Sequence, residues 1–161
     1  MKLYHGSNVA VEQPEIIASN RALDFGAGFY VTSDLEQAVK WAKNVTRRRQ
    51  QGVPMVSVYE VNDKAMSNLS VLEFQVPDAE WLHYISENRQ NIYHGKIHDI
   101  VCGPVANDNT MPVLNLFLSG FLDEEETLKR LLPQKLKDQY AFKTMQAIQI
   151  MRFVEVVECK K

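Results

Sequence analysis

No apolar run in this chain approaches the roughly 20 residues that a bilayer-spanning helix needs. Charge of one sign is equally short: 18 Lys and Arg stand against 20 Asp and Glu, for a formal net charge of -2. No global positive field therefore points to nucleic acid or an acidic membrane, and any polyanion binding has to be local. Cysteine is scarce, with Cys102 and Cys159 alone in 161 residues. Two thiols in apolar surroundings build no disulfide framework and read as core or edge-strand packing rather than catalysis. No signal-peptide pattern is visible, so the cytoplasm is the expected compartment and no membrane partner is expected. Internal repeats and low-complexity linkers are missing as well, and residues 1–161 read as a single domain.

What remains is an ordinary globular composition, 45% hydrophobic and 24% charged, long enough to bury a real core. Lys2–Tyr4 reads as a strand, and Pro14 with Ser19-Asn20-Arg21 as a loop. Phe29–Val31 reads as a short strand entered from Gly26-Ala27-Gly28. "SDLEQAVKWAKNVTRRRQQG" is the clearest helix: Ser33 and Glu36 form a capping-box pattern, Leu35, Ala38, Val39 and Ala42 recur at helical spacing, and Gly52 can close it. "PMVSVYEV" and "LSVLEFQV", split by Asn62-Asp63-Lys64, read as adjacent antiparallel strands. A helix after Pro77-Asp78, a buried strand "HDIVCGPV" and helices in "PVLNLFLSGFL" and "DEEETLKRLLP" follow. The tail divides into a strand Gln139–Phe142, a helix capped by Thr144 and a strand Phe153–Val157. Short strands around a few helices, with hairpin-like pairing, give an α+β class rather than a doubly wound parallel sheet.

Several residue types in this order carry chemistry. "MKLYHGSN" puts His5 and Gly6 at the end of the first strand, a place where an edge strand running into a turn is the plain alternative. "GAGFY" follows, with Trp41 eleven residues after Tyr30, and "DQYAFKT" comes near the end of the chain. Tyr30 and Trp41 are two aromatic faces able to sandwich a flat heteroaromatic cation. Gly6 lets backbone N–H and C=O groups approach a ligand closely. Arg47-Arg48-Arg49 reads as a helix end that can also grip phosphates. Lys129, Arg130, Lys135 and Lys137 form a sparser basic region. His94 and His98 are four apart, but Gly95 and Ile97 speak against a helix and no third ligand is evident, so no metal site is expected.

The three ordered motifs resemble ADP-ribosyltransferases of the diphtheria-toxin and poly(ADP-ribose) polymerase type, and nearly the full length is similar to small bacterial domains of that class. The resemblance implies an ADP-ribosyltransferase fold, two packed and mainly antiparallel sheets with flanking helices around an NAD cleft. It implies His5, Tyr30 and Gln139 as catalytic residues, with His5, Gly6, Ser7, Gly28, Phe29, Tyr30, Trp41 and Gln139 holding NAD as substrate. His5 would bond a ribose hydroxyl, and Gln139 the hydroxyl of the nicotinamide ribose. One ADP-ribose would pass to a macromolecule, nucleic acid or protein, with release of nicotinamide. The same resemblance implies the toxin of a toxin–antitoxin or phage-defence module with a neutralising partner protein.

The departures matter. Gln139 stands where the class has glutamate; an amide keeps the acceptor oxygen but loses the negative charge and the ability to take a proton. Trp41 replaces tyrosine, and Ala38 stands where a serine bonds the carboxamide. A nucleophilic base as acceptor, or another acid such as Glu124, Glu125 or Glu126, would compensate. The alternatives are a catalytically quiet NAD-binding module and, third, RNA 2′-phosphotransfer on the same fold.

Overall fold

A computed structural model describes residues 1–17 and 23–160; the expected loop at Ser19-Asn20-Arg21 lies outside the described residues. In chain order the elements are β1 (Lys2–Ser7), β2 (Phe29–Val31), α1 (Leu35–Arg49), β3 (Met55–Val61), α2 (Asp63–Ser67), β4 (Val71–Glu73), α3 (Ala79–Arg89), β5 (Ile100–Pro104), α4 (Met111–Leu118), α5 (Glu124–Leu131), β6 (Asp138–Phe142), α6 (Met145–Gln149) and β7 (Met151–Glu158). The class is α+β. One sheet has the order β1-β3-β7 and is antiparallel throughout; the other has the order β2-β6-β5-β4, with only the β4–β5 pair parallel.

The side-chain alternation of the strands decides how the layers meet. Leu3, Phe29, Val31, Tyr59, Val61, Ile100 and Phe142 come from both sheets and form one apolar cluster between them. Phe25, Phe74, Trp81, Leu82, Ile85, Val101, Leu114, Leu131 and Ala141 form a second, where α3, α4 and α5 cover the other face of the four-stranded sheet. The Trp81 indole N–H donates to the Pro104 carbonyl at 2.9 Å, so this buried ring leaves no polar atom unpaired. Ala38, Ala42, Val56 and Val58 form a third cluster, under α1.

Two details of α1 set the position of everything around it. The capping residue is Asp34, which accepts from the Gln37 N–H at 2.8 Å, and not Ser33 as the capping-box pattern suggests. Ser33 is engaged elsewhere: its N–H donates to Asp138 Oδ1 at 2.9 Å and its hydroxyl donates to Asp138 Oδ2. Thr32 Oγ1 also donates to the Asp138 carboxylate, at 3.0 Å. These bonds tie the start of α1 to the start of β6. At its other end the helix closes on Gln50 in the left-handed conformation, two residues before the expected Gly52.

The second detail is Gly6. A Cβ built there would lie 2.0 Å from the Ala38 carbonyl oxygen and 2.7 Å from the Ala42 nitrogen, both backbone atoms of α1. The small residues Ala38 and Ala42 let the helix descend onto β1, and the missing side chain of Gly6 receives it.

The expected hairpin of "PMVSVYEV" with "LSVLEFQV" does not form. β3 and β4 belong to different sheets, and the polar stretch between them is α2, capped by Asn62 accepting from Lys64 and Ala65. β4 instead adds to β5 in parallel, with Val71 opposite Ile100. Both segments alternate well, but alternation states only that one face is buried and cannot name the partner strand. The other strands and helices form where expected, with Thr144 capping α6 by accepting from Ala147.

Gly6→Ala is expected to lower the stability by about 3 kcal/mol or more, because the atoms it meets are backbone and cannot rotate away. Urea unfolding followed by far-ultraviolet circular dichroism measures it; a change within about 0.5 kcal/mol would mean that α1 does not rest on β1 as described.

Candidate functional site

Among the described residues, backbone hydrogen bonds join the two sheets at Tyr4 and Thr32. Tyr4 and Thr32 exchange backbone hydrogen bonds, Tyr4 N to Thr32 O at 2.8 Å and Thr32 N to Tyr4 O at 2.9 Å. His5 follows directly. Its Nδ1 lies 2.7 Å from the Tyr30 carbonyl oxygen, and its ring stacks on Phe29 with centroids 4.3 Å apart. A carbonyl only accepts, so Nδ1 carries the proton and Nε2 holds a lone pair. Burial of the ring, helped by the nearby Arg49 charge, holds the pKa below the usual histidine value against the opposing pull of the Tyr30 carbonyl. The group is a neutral, oriented hydrogen-bond acceptor.

His5, Gly6, Ser7, Phe29 and Arg49 line one cleft of about 260 Å³, together with the polar Gln13 and Glu15 and apolar residues such as Val11 and Val45. Arg49 Nη1 donates to Asn8 Oδ1 at 2.9 Å, and Asn8 Nδ2 donates to the Gln51 carbonyl at 3.0 Å. The guanidinium is thereby fixed beside the histidine, the one member of the arginine run with a place in this cleft.

Tyr30, Trp41 and Gln139, among the described residues, do not line that cleft. Tyr30 stands opposite Ala141 in the β2–β6 pairing, and Gln139 is two residues from Ala141, so both project from the sheet face that carries Phe25. The Tyr30 hydroxyl donates to the Gly26 carbonyl at 2.6 Å and accepts from the Phe25 N–H at 3.0 Å. Burial raises its pKa far above the ordinary value, so it works as a neutral latch on the turn before β2. Lys143 closes the same turn by donating to the Phe25 and Ala27 carbonyls. Burial lowers the Lys143 pKa to about 8. Gly26, at φ 79°, makes this turn possible. Gly28 is buried at its end, against the Phe142 carbonyl. Trp41 lies partly exposed on α1, and no ring contact joins it to Tyr30 among the described residues.

Gln139 is 4% exposed. Its Nε2 donates to Asp24 Oδ2 at 3.2 Å, and the other oxygen of Asp24 receives Arg89 Nε at 2.6 Å. Asp24 and Arg89 are the residues that sequence reasoning missed. Asp24 sits two places ahead of Gly26, inside the glycine segment, and could have been noticed there; Arg89 arrives from the end of α3, 65 residues away, with no local signal.

Glu124, Glu125 and Glu126, the acids expected to compensate for Gln139, are engaged elsewhere. Glu124 bonds His83, Glu125 pairs with Lys129 at 3.6 Å and Glu126 with Arg130 at 3.1 Å. The sparse basic region is largely neutralised by the same pairs and by Lys137 with Asp34 at 2.8 Å. His98 bonds the Ser70 hydroxyl at 2.9 Å, and His94 lies in a loop. Among the described residues, no group of three or more His, Cys, Asp or Glu is placed to hold a metal ion.

A family model matches residues 1–153; its description is "Protein of unknown function (DUF3990)". No curated protein and no solved structure matches the chain.

The lowered pKa of His5 has a consequence for stability. Below about pH 6.5 the unfolded imidazole takes up a proton that the folded ring refuses, so stability is complete above that pH and falls as pH drops through it. His98, also lowered by burial, adds to the same slope. Urea unfolding at pH 7.5 and pH 5.5 is expected to show a lower midpoint at pH 5.5. In His5→Asn, whose amide N–H can still reach the Tyr30 carbonyl, that difference shrinks; an unchanged difference would mean that His5 is not the buried neutral group.

Proposed function

The chain belongs to this DUF3990 family, and from the geometry of its cleft we propose that it is an NAD-dependent mono-ADP-ribosyltransferase acting on a macromolecule. The supporting observation is His5, a neutral imidazole whose Nδ1 is committed to the Tyr30 carbonyl and whose Nε2 is left as an acceptor beside Arg49. A sugar hydroxyl is the matching donor, and a pyrophosphate is the matching charge for the guanidinium. On this reading NAD bends over the seam of the two sheets. Its adenosine half takes the His5–Arg49 cleft, and its nicotinamide half reaches toward Gln139 on β6.

The C1′–nitrogen bond of the nicotinamide ribose breaks with its electron pair going to the ring nitrogen, so nicotinamide leaves neutral. A lone pair of the acceptor forms the new bond to C1′, and the acceptor's proton passes to solvent. Gln139 accepts a hydrogen bond from the ribose hydroxyl. With an amide there, an acceptor that is itself a good nucleophile, such as a ring nitrogen or exocyclic amine of a nucleobase, suits the site best. As a toxin of this type the protein would work in the cytoplasm, restrained by a neutralising protein. Gln139 also supports a second reading, saturable NAD binding without turnover.

Adenine-labelled NAD⁺ added to a bacterial lysate tests the choice. Label is expected to enter material resistant to protease and sensitive to nuclease, with Gln139→Ala slower by about 10²-fold. Loss of label to protease would move the acceptor to protein, and NAD⁺ binding with no nicotinamide release would favour the quiet module. Expression of the wild-type chain in bacteria is expected to arrest growth, and harmless expression would count against the toxin role.

A further inference from the structure

The class glutamate is absent at position 139, yet a carboxylate touches the residue that replaces it. Asp24 Oδ2 accepts from Gln139 Nε2 at 3.2 Å. We propose that Asp24 is the positioning residue of this site: held by Arg89, it orients the Gln139 amide so that the carbonyl oxygen is left for the sugar hydroxyl. The proposal rests on the ADP-ribosyltransferase reading above.

The orientation follows from donor and acceptor inventory alone. A carboxylate can only accept, so the amide group of Gln139 facing it has to be the NH₂, and the other end of the amide is then its oxygen. An amide with a neutral or two-faced neighbour would be free to turn over and offer N–H groups to a hydroxyl that needs an acceptor. Asp24 removes that freedom. It also places a charge one hydrogen bond away from the group that faces the reacting ribose, and a polarised amide oxygen is a stronger acceptor.

Asp24 is itself held tightly enough to do this. Its side chain is 11% exposed, and Arg89 Nε lies 2.6 Å from Oδ1. The turn that follows it is held at Phe25 and Gly26 by the Tyr30 hydroxyl and at Phe25 and Ala27 by Lys143. At Gly26 a Cβ would lie 2.7 Å from Asn88 Oδ1, so a side chain there would have to displace that amide. Buried charge left unpaired would be costly; Arg89 offsets the cost and leaves Oδ2 to Gln139. Three residues from distant parts of the chain thus form a line, Arg89 to Asp24 to Gln139.

The experiment compares the wild-type chain, Asp24→Asn, Gln139→Glu and Asp24→Asn/Gln139→Glu. NAD⁺ affinity is measured by calorimetry, and kcat and KM by nicotinamide release in the presence of lysate acceptor. Asp24→Asn is expected to lower kcat by roughly 10- to 100-fold while KM stays within about threefold, since its effect is on charge and amide orientation in the transition state. Gln139→Glu alone sets two carboxylates against each other and is also expected to lower kcat. The double variant places a carboxylate at 139 with an amide donor beside it, and is expected to recover at least about tenfold over either single variant.

A purely structural Asp24 would give the opposite order, with Gln139→Glu the fastest form and the double variant no better than Asp24→Asn. That order, or a kcat for Asp24→Asn equal to wild type, overturns the proposal. If Asp24→Asn does not fold, Gln139→Glu against the wild-type chain still decides it: a slower Gln139→Glu is expected, and a faster one overturns the proposal. A wild-type chain that binds no NAD⁺ or releases no nicotinamide overturns both this and the reading it rests on, whereas an active wild type with the opposite order overturns only the role of Asp24.

Discussion

The backbone exchange between Tyr4 and Thr32 is the join on which the rest of this molecule depends. Each sheet closes its own ladder, and this two-bond bridge carries hydrogen bonding from β1 across to β2. The next residue on β1, His5, repeats the connection with a side chain, donating to the Tyr30 carbonyl. On the other side of the bridge, Thr32 and Ser33 grip Asp138. Several of the residues singled out in the sequence lie close to this bridge: His5 and Ser7 on β1, Tyr30 on β2, and Gln139 beside Asp138 on β6.

Packing keeps the seam in place. Phe29 and Val31 point between the sheets, and the Tyr30 side chain between them points away, into the cluster of Phe25 and Tyr84. A three-residue strand therefore fixes both layers at once. α1 is pressed onto the opposite side of β1 through the bare Cα of Gly6, which gives the glycine a packing reason separate from any ligand. The His-Gly pair at the end of the first strand thus performs two jobs on opposite faces, His5 toward β2 and Gly6 toward α1, as strand alternation requires.

Electrostatics divides the site into two parts with different tasks. The cleft beside His5 carries both Arg49 and Glu15, and the imidazole is kept neutral by burial. Beside Gln139 the nearest charge is negative, from Asp24, balanced by Arg89. Tyr30 and Lys143, both shifted by burial, are spent on the turn between the two parts.

Local patterns in the chain determined the α+β class, nearly all the elements, the Thr144 cap and the motif residues, because alternation, capping and turn chemistry are short-range properties. The pairing of β4 with β5 instead of β3 was decided only in the folded molecule, since an alternating strand carries no label for its neighbour. The same is true of the Ser33 hydroxyl, which fits a capping box until Asp138 arrives from 105 residues away. The site shows the limit most clearly. His5, Tyr30 and Gln139 stood out as residue types in order, whereas the Arg89–Asp24–Gln139 line joins α3, a turn and β6 across 65 and 115 residues. A hydrogen bond of that kind has no sequence spacing, and only the tertiary packing of the second cluster brings its members within reach.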